Sequence, residues 1–243
     1  MLVSKSCFFT KNHYKMDMFY WVIAGGLTIV GMIVSGRLKS KFAHYSQFGL
    51  RANMTGAEVA AAMLRHYGIN DVQITQGQGF LSDHYNPLTK TVNLSPDVYQ
   101  GRSISAAAVA SHECGHAVQH ANAYAWLKLR SAIVPVVNVA SMAQQWLLLL
   151  AFVMLNSFPQ LMLITIFTFA ITTVFSLITL PVEFDASRRA LVWLEESGTA
   201  CGEEHAGAKD ALKWAAMTYV SAALSSLVML VYLVMRYMGS SRN

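Results

Sequence analysis

His112-Glu113-Cys114-Gly115-His116 set two imidazoles four residues apart with a carboxylate beside the first. On an α-helix, positions i and i+4 share one face, about 6 Å apart along the axis. Two imidazoles held that way can grip one Zn²⁺. Glu113 then stands where it can take a proton from a water that the metal acidifies. The chemistry implied is metal-assisted hydrolysis, with His112 and His116 as ligands and Glu113 as general base.

A catalytic zinc needs three protein ligands and an open position for water. His120 continues the i, i+4 series but lies about 12 Å from His112 along the axis, too far to share an ion. A metzincin would carry a Gly and a third His farther on, and those positions hold Gln119 and Asn122. A carboxylate from a second helix is the remaining common solution. Glu183 is the leading candidate, because it directly follows Pro181-Val182 at the end of an apolar run, where a charge is costly unless it is used. Asp185 is the alternative ligand. Glu195, Glu196, Glu203 and Glu204 read as a solvated loop. Cys114 faces away from the two histidines. Cys7, Cys114 and Cys201 are odd in number and form no C-x-x-C, which fits a reducing compartment.

The elements that must position these residues follow from local pattern. Ser103 or Ser105 caps a helix over 104–121, rich in Ala and free of Pro. Thr55-Gly56-Ala57-Glu58 matches a capping box, and a helix follows over 57–67 until Gly68 stops it. Val72-Gln73-Ile74-Thr75 alternates like a short strand. Residues 83–94 read as strand, turn, strand, with Asn86-Pro87 starting the turn. Ser95-Pro96-Asp97 opens a short helical turn. A hairpin just upstream of the motif helix offers a sheet edge on which an extended peptide could lie. For an oxyanion partner the sequence offers His84, Tyr85, His205 and Arg188, without a choice among them.

The chain has 243 residues, 54% hydrophobic and 13% charged, with a mean hydropathy of +0.38. That is too apolar for a water-soluble domain of this size. Stretches 18–36, 133–155, 161–182 and 215–238 are each long and apolar enough to cross a bilayer. The last can be the end of a helix that begins near Ala206. The expected organisation is an N-terminal extension (1–17) without periodicity, a first span, and a small α+β, zincin-like catalytic region over 37–130. Two further spans, a third-ligand helix and loop over 183–214, and a fourth span complete it. The fold class is therefore mainly α and polytopic. Arg37, Lys39, Lys41, Lys128, Arg130, Arg188, Arg189, Lys209 and Lys213 lie on the motif side of the spans, and the connection over 156–160 carries no charge. This balance puts the motif in the cytoplasm. The net charge of +5 is accounted for by basic residues near lipid headgroups and calls for no nucleic acid.

Several of these segments together resemble a known group. They are Asp83-His84-Tyr85, Leu94-Ser95, Tyr99 with Gly101-Arg102-Ser103-Ile104, the H-E-x-G-H-A-x-Q-H run from His112 to His120, and Leu127-Lys128-Leu129-Arg130. The chain resembles the YugP-type neutral zinc metallopeptidases of bacterial membranes, from about residue 18 to the last span. The resemblance implies a membrane-embedded, gluzincin-like protease that uses Zn²⁺ and acts on proteins or peptides at the membrane. More distantly the chain is similar to HtpX-like and CAAX prenyl proteases, whose third ligand is the Glu of an E-F-x-A-D pattern. Glu183-Phe184-Asp185-Ala186 fits its start. Ser187 stands where those relatives carry an Asp that orients a ligand, so that support is expected to come from elsewhere. The competing reading is a non-catalytic zinc-binding membrane scaffold or sensor, whose site a fourth protein ligand would close.

Overall fold

The computed structural model describes residues 4–79, 82–154 and 158–240. Its elements in order are α1 (Ser4–Tyr45), α2 (Gly56–His66), β1 (Gln73–Gln76), β2 (His84–Asn86), β3 (Thr91–Leu94), α3 (Pro96–Tyr99) and α4 (Ile104–Ala121). They are followed by α5 (Ala125–Val153), α6 (Pro159–Glu196) and α7 (Glu203–Ser240). The protein is mainly helical, and α1, α5, α6 and α7 are each long and apolar enough to cross a membrane.

These four helices overrun the stretches read from hydropathy. α1 begins at Ser4, inside the segment expected as an N-terminal extension without periodicity. No Gly or Pro interrupts residues 4–17, so a helix propagates through them at little cost once it is nucleated. α6 runs through Pro181 to Glu196. The residues that follow the third apolar run therefore continue the same helix and are not a separate element. Pro181 lacks an N–H and removes one hydrogen bond from the ladder just before Glu183.

The chain divides into two compact units: Met1–Ile33, Ile133–Leu177 and Ser221–Asn243 form one, and Val34–Ala132 with Ile178–Val220 form the other. Among the described residues, the regular elements of the first are all helices. Met162 and Leu233 are fully buried there, with Ala151, Phe169 and Tyr232 around them. Its outer surface is apolar: Trp21, Met32, Val139, Met142, Trp146 and Phe167 are all more than half exposed. A water-soluble surface does not carry that much contiguous apolar area, and a lipid-facing one does. Polar side chains tie the helices together inside it, as Thr172 does by donating to Gln144 Oε1 (3.3 Å).

The second unit holds the sheet and the motif helix. The sheet order is β1-β3-β2, with β1 parallel and β2 antiparallel to the central β3. The predicted hairpin is β2 and β3, and β2 is an edge strand. Val92 and Leu94 on β3 are fully buried. α2 packs on α4 through Val59, Ala60 and Met63, all fully buried. The capping box is present: Thr55 Oγ1 accepts from the Glu58 N–H (3.1 Å), and Glu58 accepts from the Thr55 N–H (2.7 Å). Ser95 precedes α3 without capping it by its side chain; its N–H (2.7 Å) and hydroxyl (3.1 Å) both donate to Asp83. Of the two predicted caps for α4, Ser103 is the one used, accepting from the Ala106 N–H at 3.2 Å. α4 is buried around nearly its whole circumference. Its small residues at 106–108, 110, 111, 115 and 117 let neighbours approach from all sides. Replacing Thr55 with Ala removes an acceptor from the start of α2, and about 1 kcal/mol of stability is expected to go with it, read as a lowered unfolding midpoint.

Candidate metal centre

α4 presents His112 and His116 from adjacent turns, with ring centroids 4.8 Å apart. α6 brings Glu183 to the same point. Its Oε2 lies 3.3 Å from His112 Nε2 and 3.5 Å from His116 Nε2. Ligands held at about 2.0–2.1 Å in a tetrahedron around zinc stand about 3.3 Å from one another, so the spacing suits that ion. Glu183 is 2% exposed, and its Oε2 has no hydrogen-bond partner. A buried carboxylate oxygen without a donor is costly. A divalent cation among these three groups removes that cost, so the residues present fit a zinc ion.

The approach of α6 depends on Gly115. A Cβ added there would lie 2.6 Å from the Ala186 carbonyl oxygen and 3.1 Å from its carbonyl carbon. Only a bare Cα on α4 and a small residue on α6 let the backbones meet so closely. That contact sets the depth at which Glu183 and Ser187 stand against the histidines.

Both imidazoles are oriented through Nδ1. His116 Nδ1 lies 3.0 Å from Gln119 Oε1. Gln119 is fully buried, and its Nε2 donates to the Val182 carbonyl (2.8 Å) and to Asp185 Oδ2 (2.9 Å). Those partners are acceptors only, so the amide oxygen must face His116. Nδ1 of His116 is therefore the protonated nitrogen, and Nε2 is free to bind metal. His112 Nδ1 meets the Ser187 hydroxyl at 3.1 Å. The expectation that support for this histidine must come from elsewhere is thus corrected. Ser187 makes the contact itself, with a hydroxyl in place of a carboxylate.

Asp185, the alternative ligand, does not join the cluster. Its carboxylate is occupied by Arg188, Arg189 (2.6 Å) and Gln119. His120 lies apart from the centre, with Nδ1 2.7 Å from the Tyr85 hydroxyl. Glu195, Glu196 and Glu203 are exposed as expected, but they lie at the end of α6 and the start of α7 and not in a loop. Glu204 is not: it is 9% exposed and accepts from the Arg51 N–H (2.8 Å) at the start of α7. Cys114 is buried against the Ala60 carbonyl, and burial raises its thiol far above the usual range.

Glu113 is 8% exposed, and its Oε2 accepts from the Tyr85 N–H at 2.9 Å. That N–H points outward from edge strand β2, so the motif helix occupies the group that an added strand would use. None of the four oxyanion candidates lies free beside the ligands. Tyr85 is engaged through its N–H and its hydroxyl, and burial pushes that hydroxyl up to about 12. His84 contacts the Ser82 carbonyl and Asn93. Arg188 pairs with Asp185, and His205 lies 3.9 Å from Glu195. The cation that does reach the centre is Arg130 at the start of α5, with Nη1 3.7 Å from Glu183 Oε1 and a buried Nε without a partner. Sequence reasoning counted Arg130 only toward orientation. Its place in Leu127-Lys128-Leu129-Arg130, just after the motif helix, was the available signal.

Four helices long and apolar enough to cross a membrane, with two histidines and a glutamate set for one zinc ion, define a zinc-binding membrane protein. The chain belongs to the family described as "Putative neutral zinc metallopeptidase", whose model matches residues 20–238. It is similar to the "Putative membrane protease YugP" of Bacillus subtilis (strain 168), with 45% identity over 203 residues, 84% of this chain and 89% of that protein. No solved structure matches it. The cofactor is Zn²⁺, and the protein is a multi-pass membrane protein.

Two outcomes follow from this geometry. Changing Gly115 to Ala should push α6 away and weaken zinc binding about ten- to a hundredfold, the usual cost of misplacing a ligand's support; unchanged affinity in a chelator competition would mean that α6 does not crowd Gly115. The second concerns pH. Burial disfavours the charged form of His116, but the neighbouring Glu183 carboxylate outweighs it and holds its pKa above the usual histidine value. In the metal-free protein that pair therefore contributes stability below about pH 6.5 and loses it as pH rises through the raised value. Zinc needs the neutral imidazole and competes with that proton. The gain in unfolding temperature on adding zinc should be larger at pH 8 than at pH 6, and equal gains would contradict the assignment.

Proposed function

We propose that this protein is a zinc metalloendopeptidase of the cell membrane, of the bacterial inner membrane by its resemblance, which cleaves membrane-associated or misfolded proteins on the cytoplasmic side. The observation that carries the reading is the unpartnered Glu183 Oε2 held between His112 Nε2 and His116 Nε2 with Glu113 alongside. Among the described residues, no fourth His, Cys, Asp or Glu joins the cluster. That leaves a coordination position for water or substrate and favours catalysis over a closed, structural zinc site.

When bound, zinc supplies Lewis acidity for a substrate carbonyl and for water. The chain's own residues do the rest. His112, His116 and Glu183 hold the ion. Glu113 accepts the proton of the attacking water and returns it to the leaving amine. Arg130 is the cation nearest the ligands and can steady developing negative charge through its unused Nε. A substrate backbone laid along β2 can take the Tyr85 N–H. Its arrival would release Glu113 from that hydrogen bond, so that substrate binding frees the base. Orientation rests on charge: the nine basic residues counted toward the cytoplasmic side all belong to the compact unit that carries the motif.

The test is a digest of casein or a denatured membrane protein by the detergent-purified chain, with and without chelator. Glu113→Gln should retain its zinc and lose about a hundredfold or more of the activity. Cleavage persisting in the zinc-loaded variant would remove Glu113 from the reaction, and zinc without any cleavage by the wild type would favour the scaffold.

A further inference from the structure

α6 and α7 enclose a groove of about 370 Å³ in the unit that carries the metal centre. Its lining is graded. Arg188, Lys209 and Lys213 give one part a positive character. Glu195 is the single acidic residue of the lining, and it lies against His205. Arg188 pairs with Asp185 through one guanidinium nitrogen. Lys209 and Lys213 are exposed and enter no ion pair among the described residues. Phe184, Ala216 and Met217 form an apolar part, and Leu191, Val192 and Leu212 add apolar surface among and beyond the cations.

The helices orient this gradient. Phe184 follows closely on the apolar run that ends at Val182, and Ala216 and Met217 open the last apolar run of the chain. At 1.5 Å per residue, Arg188 lies about 6 Å beyond Phe184, and Lys213 and Lys209 about 4.5 and 10 Å from Ala216. The apolar end thus adjoins the lipid-crossing segments, and the cations stand a headgroup's length farther along.

We propose that this groove binds an anionic phospholipid, with its phosphate against Lys209, Lys213 and the free face of Arg188 and the start of an acyl chain along Phe184, Ala216 and Met217. Exposed lysines near a membrane surface attract anionic headgroups, and basic recesses between membrane helices take acidic headgroups. A zwitterionic lipid gains little there, because the only carboxylate is already beside His205. An extended peptide is a poorer fit. The walls are two continuous helices whose backbone groups are satisfied, so no strand can be added to them. Ser187 also lines the groove, and its hydroxyl meets His112 Nδ1. The lipid would therefore rest against the support of a metal-binding histidine.

The experiment is native mass spectrometry of the full chain in neutral detergent with equal amounts of phosphatidylglycerol and phosphatidylcholine. The wild type should retain phosphatidylglycerol preferentially. Lys209→Gln should cut that preference about fivefold, and Lys209→Gln with Lys213→Gln should cut it further. Lys90→Gln, which removes a cation paired with Asp71 outside the groove, should leave it intact. If the double variant does not fold, the single Lys209 variant decides. No preference in the wild type, full preference in the Lys209 variant, or an equal loss in the Lys90 variant would overturn the assignment. Displacement of the lipid by equimolar inorganic phosphate or by an acidic peptide would overturn it too, pointing to a free anion or a polypeptide.

Discussion

The metal centre depends on one steric contact, the meeting of Gly115 on α4 with the backbone of Ala186 on α6. Imidazoles four residues apart are a local property of any helix, but a third ligand must arrive from elsewhere within a few tenths of an ångström. The bare Cα of Gly115 allows that arrival, and the absence of a side chain beyond Cβ at Ala186 keeps it unobstructed. Glu183 stands three residues before the contact and Ser187 one after it. One close approach therefore sets both the third ligand and the support of His112.

The polar groups around this contact form a nearly closed set. Asp185 accepts from Arg188, Arg189 and Gln119, Gln119 turns its oxygen to His116, and Ser187 meets His112. Buried polar groups are tolerated when each finds a partner, and here the directionality of one amide dictates which imidazole nitrogen remains free. Two buried atoms at the centre stand outside this set, Arg130 Nε and Glu183 Oε2. A buried carboxylate oxygen left bare and facing two imidazole nitrogens is arranged for a cation.

Two different solvents are written into the same helices. Large apolar side chains lie exposed along the stretches that hydropathy marks as spans, while Ala190, Trp193 and Leu194 near the end of α6 and Ala208, Ala211 and Leu212 early in α7 are buried. The continuity of α6 through Pro181 lets a lipid-crossing helix deliver a metal ligand without an intervening loop, where a flexible connection would add disorder to the ligand set. A groove whose apolar end, at Phe184, Ala216 and Met217, gives way to Arg188, Lys213 and Lys209 belongs to the same transition.

Much of this was legible locally. The H-E-x-x-H spacing, the capping box at Thr55, the β2–β3 hairpin and the four apolar stretches depend on interactions a few residues long, so their signals lie in adjacent letters. Glu183 could be singled out because a carboxylate at the end of an apolar run is expensive. Helix length was underestimated wherever polar residues continued an apolar helix, because hydropathy marks the solvent and not the backbone. The partners of the site were not legible. Gln119, Ser187 and Arg130 act across separations that no spacing encodes, and the burial of Glu204 depends on Arg51, far away in the chain. Sequence alone determined which groups could bind a metal, since that follows from side-chain chemistry and helical period. Only the tertiary structure decided which groups hold them in place, because that depends on how closely two backbones can pack.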